Sequence, residues 1–179
     1  RYPCKIQGHP FAEEYKKSFR SICSLIKTLN LNIQNKTLYR SNNLGYNTAS
    51  QIKKKFNHIN TETFQKNLIL DDFKTSKLIV CTYPETAISE MITINVPSII
   101  LIPNNLYEFD NNSTKIIDQL KNANVFFDNS YDAAKHINLI WIDPYKWWNS
   151  KDTLNSIKNL KEYAFNIKEA ARTPQGRRK

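Results

Sequence analysis

The sequence predicts an α/β domain built on a parallel sheet flanked by helices. Three observations carry that expectation. The short runs KLIVC (77–81), SIILI (98–102) and VFF (125–127) are continuously apolar rather than alternating, as strands become when helices cover both faces of a sheet. Amphipathic stretches follow each of them, and strand, helix, strand, helix, strand, helix is the order of parallel strands joined by crossovers. At 179 residues the chain is long enough for one core that buries about 70% of the unfolded surface.

The elements follow in order. Residues 11–29, FAEEYKKSFRSICSLIKTL, place Phe11, Tyr15, Phe19, Ile22, Cys23 and Ile26 at steps of three and four, which is one apolar face of a helix. KTLYR reads as a short strand, and NTASQIKKKFN as a polar helix capped by Asn47 or Thr48. LDDFKTS leads into the strand KLIVC, a helix is expected from about 83 to 93, and VPSIILI (96–102) is the next strand. A helix over 114–122, capped by Ser113, precedes the strand NVFF. Asn129 or Ser130 then caps a helix whose apolar stripe is Ala133, Ala134, Ile137, Ile140 and Trp141. A last helix, about 150–167, presents Leu154, Ile157, Leu160 and Ala164. Residues 1–168 are taken as the domain, and 169–179 as a basic tail, disordered or non-native.

Composition narrows the partners. The formal charge of +10 sits partly in Lys53, Lys54 and Lys55 and partly in the tail, and the remainder reads as spread over the loops. There is no zinc-finger spacing and no RNP-like strand, so the excess reads as solvated surface and no nucleic-acid partner is expected. No apolar run approaches the roughly 20 residues of a membrane-spanning helix. Cys4, Cys23 and Cys81 are odd in number and lack CxxC spacing, which suits a reducing cytoplasm, with Cys81 a small buried hydrophobe. RYPCKIQGHPF has neither signal-peptide nor transit-peptide character, and the chain reads as part of a longer protein.

The stretch that points to chemistry is CTYPETAISE. A strand ending at Cys81 delivers the chain to the carboxyl rim of the sheet, where ligands of open parallel sheets sit. A helix starting there offers unpaired N–H groups and the positive end of its dipole to a phosphate. Thr86 and Glu90, four residues apart, share the face opposite Ala87, Ile88, Met91 and Ile92. Thr86 suits a phosphate oxygen, and the two acceptor oxygens of Glu90 suit a ribose diol. A plainer reading stands beside this one: Thr82-Tyr-Pro-Glu85 fits a capping box with Pro84 in the first turn, and Glu90 is then an ordinary solvated side chain. Tyr107 and Glu108 follow a strand end and are placed either to touch a ligand at that rim or to pack a loop.

Trp141, Trp147 and Trp148 sit between two helices and read as packing rather than as a sugar-stacking cluster. The histidines have no partners at ligand spacing, so no metal site is expected. His136 lies on the polar side of its helix and reads as solvated. His9, in the turn GHPF, is the histidine to test as a catalytic base.

SKLIVCTYPETAISEMITINVPSIILI, LYEF and NVFFDNSYDAAKHINLIWIDPYKWWNS together resemble the C-terminal region of a family of bacterial surface-carbohydrate transferases with a glycosyltransferase-B architecture. The resemblance rests on T-Y-x-x-T followed by a glutamate, then N-x-P, then W-x-D-x-x-x-W-W. It covers about residues 76–150, and RYP extends it toward the start of the chain. The region is more distantly similar to the glycerol-phosphate polymerases of teichoic-acid synthesis.

The resemblance implies a two-domain cytoplasmic enzyme. This chain would be its Rossmann-like, donor-binding C-terminal half, inactive by itself, and the missing N-terminal domain would contact a glycan or lipid-linked acceptor and supply the base. Thr82, Tyr83, Thr86 and Glu90 would line the pocket for a nucleotide-sugar donor, Asn95 and Pro97 would shape the turn into the next strand, and Arg1 would face the cleft. No cofactor is required, Mg²⁺ bridging the phosphates is compatible with the pattern, and so is a peripheral position at the inner membrane. The family is expected to carry a small residue where this chain has Glu85, whose carboxylate would repel a phosphate unless it turned back into the capping box. Two alternatives remain: transfer of a polyol phosphate from a cytidine diphosphate carrier at the same rim, and a non-catalytic α/β module whose basic surface docks on acidic lipids or partners.

Overall fold

Among the described residues the chain forms nine helices and five strands, and the strand pairings there are parallel. The computed structural model describes residues 12–41, 47–63, 69–83, 86–104, 106–107 and 109–172. The order is α1 Ala12–Thr28, α2 Leu31–Gln34, β1 Leu38–Ser41, α3 Thr48–Lys55, β2 Asn60–Thr63, α4 Ile69–Thr75, β3 Ile79–Cys81, α5 Thr86–Ile94, β4 Ser98–Leu101, α6 Asn111–Asn122, β5 Phe126–Phe127, α7 Ser130–Ile140, α8 Pro144–Trp148 and α9 Lys151–Arg172. β1 and β2 form one two-stranded sheet; β3, β4 and β5 form a second in that order.

The continuous apolar runs have a simple physical origin. Successive side chains of a strand point to opposite faces, and here both faces are covered. Ile79, Cys81, Ile100 and Phe126 pack with Met91, Ile92, Leu120, Trp148 and Ile157 on the side of α5, α6, α8 and α9. Leu78, Val80, Ile99, Leu101 and Phe127 pack with Leu25, Leu29, Ala133, Ala134 and Ile137 on the side of α1 and α7. The small residues Ala133 and Ala134, both fully buried, let α7 approach the sheet and α1 closely. α1 also reaches the small sheet: Ile22, Cys23 and Ile26 join Ile52 and Ile59 in a third cluster. Arg40 of β1 pairs with Asp72 of α4.

The motif residues hold the layers together. Asn95 ends α5 in the left-handed region at φ 60°, which an asparagine tolerates, and its Oδ1 accepts a 3.1 Å hydrogen bond from Trp148 Nε1. Pro97 is buried, and its carbonyl accepts from Ile79 N at 2.9 Å, joining β4 to β3. Asp143 caps α8 by accepting from Lys146 N, and Trp147 Nε1 donates to Ala123 O at 3.1 Å. The tryptophans therefore pack, as the sequence implies.

Four expectations change. The cap of α6 is Asp110, whose Oδ1 accepts from Ser113 N at 2.8 Å, because the helix begins at Asn111; the Ser113 hydroxyl meets Tyr163 OH instead. Leu154 faces solvent, whereas Ile157 is buried as expected and Thr153 and Ser156 are buried beside it, satisfied by Ser150 and by the Thr153 carbonyl. Tyr83 is not part of α5, which is described from Thr86; Pro84 and Glu85, on which the helix start and the capping box depend, lie outside the described residues.

His136 is the fourth change. Its ring lies 4.9 Å from Trp147 and 5.6 Å from Phe127, and its Nε2 is buried with no hydrogen-bond partner among the described residues. Burial holds its pKa below the ordinary 6.5, so the folded protein favours neutral imidazole. The unfolded chain then binds more protons below that value. Stability contributed by neutral His136 is present above pH 6.5 and is lost as pH falls through the folded pKa. Urea titrations between about pH 5 and 7.5 should show wild-type stability falling on acidification more steeply than that of His136→Phe. Parallel profiles would return this ring to solvent.

Candidate functional site

Parallel pairing puts the carboxyl ends of β3, β4 and β5 along one edge of the domain. Thr82 and Tyr83 leave that edge after β3, and Tyr107 and Phe109 stand in the segment that follows β4. The rings of Tyr83 and Tyr107 meet edge to face, with centroids 5.8 Å apart and planes at 81°. Tyr107 in turn lies 6.5 Å from Phe109, which lies 6.5 Å from Phe126 of β5. A line of four rings thus crosses the rim from β3 to β5. Edge-to-face pairs contribute about 0.5–1.5 kcal/mol each beyond their burial, so the line orders two loops as well as lining the edge. Tyr107 also packs on the core beneath, which makes it a support as much as a wall.

α5 starts at this edge. Its first turn brings the positive end of the helix dipole to the rim, with Met91 and Ile92 buried and Ile88 packed behind. Glu90, one turn in from Thr86, is half-buried. Its carboxylate is near enough to Cys81 to add to an effect that burial dominates, and together they push the thiol up to about 12. Cys81 is consequently a neutral thiol near neutral pH and no nucleophile. No described lysine or arginine forms an ion pair with Glu90.

Of the residues the sequence singled out, Thr82, Tyr83, Glu90 and Tyr107 gather at or just behind this rim, and Thr86 begins the helix there. Arg1, His9 and Glu108 lie outside the described residues. Phe109 and Phe126 were not singled out. The alternation Tyr107-x-Phe109 is the signal that both rings share a side. Among the described residues no three His, Cys, Asp or Glu side chains gather as metal ligands, and no helix is long and apolar enough to cross a membrane.

A family model described as LIC12162 family transferase matches residues 1–175. No curated protein and no solved structure matches the chain. Because the match takes in 175 of 179 residues, the chain belongs to the LIC12162 family of transferases.

Proposed function

We propose that this transferase chain binds the activated donor of a glycosyl transfer, as the donor-nucleotide half of a glycosyltransferase-B enzyme of bacterial surface-polysaccharide assembly. The observation that carries the reading is the meeting of Tyr83 and Tyr107, from two separate strand ends, beside the first turn of α5. A nucleotide-sugar needs a seat for phosphate, an acceptor for a ribose diol and a surface for a base. The α5 amides, Glu90 and the ring line supply one of each. Developing charge on the leaving phosphate would then be stabilised by backbone dipoles already in place, usually the largest single contribution to such chemistry. The acceptor and the general base would come from the other half of the enzyme.

Titrating the intact protein with uridine, guanosine and cytidine diphosphates tests the proposal. At least one should raise the melting temperature. Glu90→Gln should weaken that binding about 10- to 100-fold, the loss of hydrogen bonds to a charged acceptor, without lowering the melting temperature of the free protein. A preference for cytidine diphosphate would redirect the proposal to polyol-phosphate transfer. If no nucleotide protects the protein, the rim is not a donor site.

A further inference from the structure

The opposite end of the domain carries its own chemistry. In parallel units each helix ends where the next strand begins, so the last turns of the crossover helices collect at the amino ends of the strands. Here three of those turns hold lysine, Lys27 in α1, Lys53, Lys54 and Lys55 in α3 and Lys74 in α4, whereas α5 and α7 end without a basic residue and Lys121 of α6 pairs with Asp128. Lys36, before β1, and Lys77, before β3, join them. All seven are exposed, and none is replaced by arginine. The charge that reads as scattered along the sequence is concentrated by the fold.

Separate hydrogen bonds tie the segments that carry these lysines toward one end. Lys77 Nζ donates to Ile142 O at 3.0 Å, just after α7. Asn138 of α7 bonds Thr28 O and accepts from Asn30 N, at the end of α1. Gln34 donates to Leu29 O and meets His58 at the approach to β2. Lys53 Nζ donates to Asn57 O and Ile59 O. Three aliphatic side chains stand out from the same surface: Ile142 is 90% exposed, Leu139 79% and Leu31 70%. The Asn30–Asn138 bond joins the two segments that carry Leu31 and Leu139. Asp143 and Asp152 are the acids toward its α8–α9 side.

We infer that this end docks on the surface of an anionic bilayer. Helix dipoles account for one lysine in a last turn, since the carbonyl end favours a cation. They do not account for a cluster that includes two lysines outside helices, nor for three aliphatic side chains held in water among them. Lysine is a compact point charge suited to non-directional attraction by lipid headgroups, whereas phosphate recognition in nucleic acids draws on arginine forks and stacking rings. Aliphatic tips flanked by lysines match the headgroup and acyl layers of a membrane surface. The inference does not depend on the donor site, which lies at the other end of the strands.

Co-sedimentation of the full chain with vesicles tests it. Binding is expected to an equal mixture of phosphatidylglycerol and phosphatidylcholine, but not to phosphatidylcholine alone. It should be lost when salt rises from about 0.1 M to about 1 M and the screening length falls from about 10 Å to about 3 Å. Changing Lys36, Lys54 and Lys55 to glutamine should lower partitioning about 100-fold. Leu139→Ser with Ile142→Ser, both exposed and so without cost to folding, should weaken it with the lysines intact. All variants keep the basic C-terminal residues. Equal binding to neutral vesicles, wild-type binding by both variants, or binding to duplex DNA that the lysine variant loses while vesicles are ignored would each overturn the inference.

Discussion

Trp148→Ala is expected to lower the melting temperature by about 10 °C, from a loss of about 3–5 kcal/mol spread over a chain of this size. The side chain is 1% exposed, and from α8 it packs into the core cluster beneath β3 and β4. Two costs add. Truncation leaves a cavity larger than α8, five residues long and capped by a single aspartate, can collapse into. It also strips Asn95 Oδ1 of its donor at the left-handed turn that starts β4. Trp148→Phe separates them, since it keeps most of the ring and loses the N–H; it should cost about 1 kcal/mol. A thermal scan in which Trp148→Ala shifts by less than about 2 °C would take this residue out of the core.

Ile99→Ala and Ile100→Ala should each cost about 2–5 kcal/mol. In a sheet with one solvated face, adjacent residues of a strand behave oppositely, one costly and one neutral. β4 is the middle strand, and Ile99, fully buried, faces α1 and α7 while Ile100, 3% exposed, faces α5 and α6. Denaturant titration of both variants reads the two layers independently. A neutral result at either position would mean that one helical layer is missing in solution.

The strands with continuous apolar runs were legible because two-sided burial writes itself into the sequence, and α1, α5 and α7 because their buried residues keep helical spacing. β2 was not legible: Asn60–Thr63 is NTET, and nothing apolar marks a polar strand in a two-stranded sheet. α2, α4 and α8 are four, seven and five residues long, too short for a period to show. His136 was misplaced because it follows Lys135 on the helix surface, and the rings that bury it come from β5 and α8, which no local pattern reports. At the rim, Glu90 and Thr86 followed from spacing within one helix. The contact between Tyr83 and Tyr107 did not, because it depends on β3 and β4 being neighbours in register, Cys81 beside Ile100.

β5 pairs with β4 through Phe126 and Phe127 alone. An outer strand that short leaves few open backbone groups for another polypeptide to zip onto, and Lys121 lying 5.8 Å over the Phe126 ring sets a charge at the same border. That border of the sheet is thereby a poor template for edge-to-edge pairing with another strand.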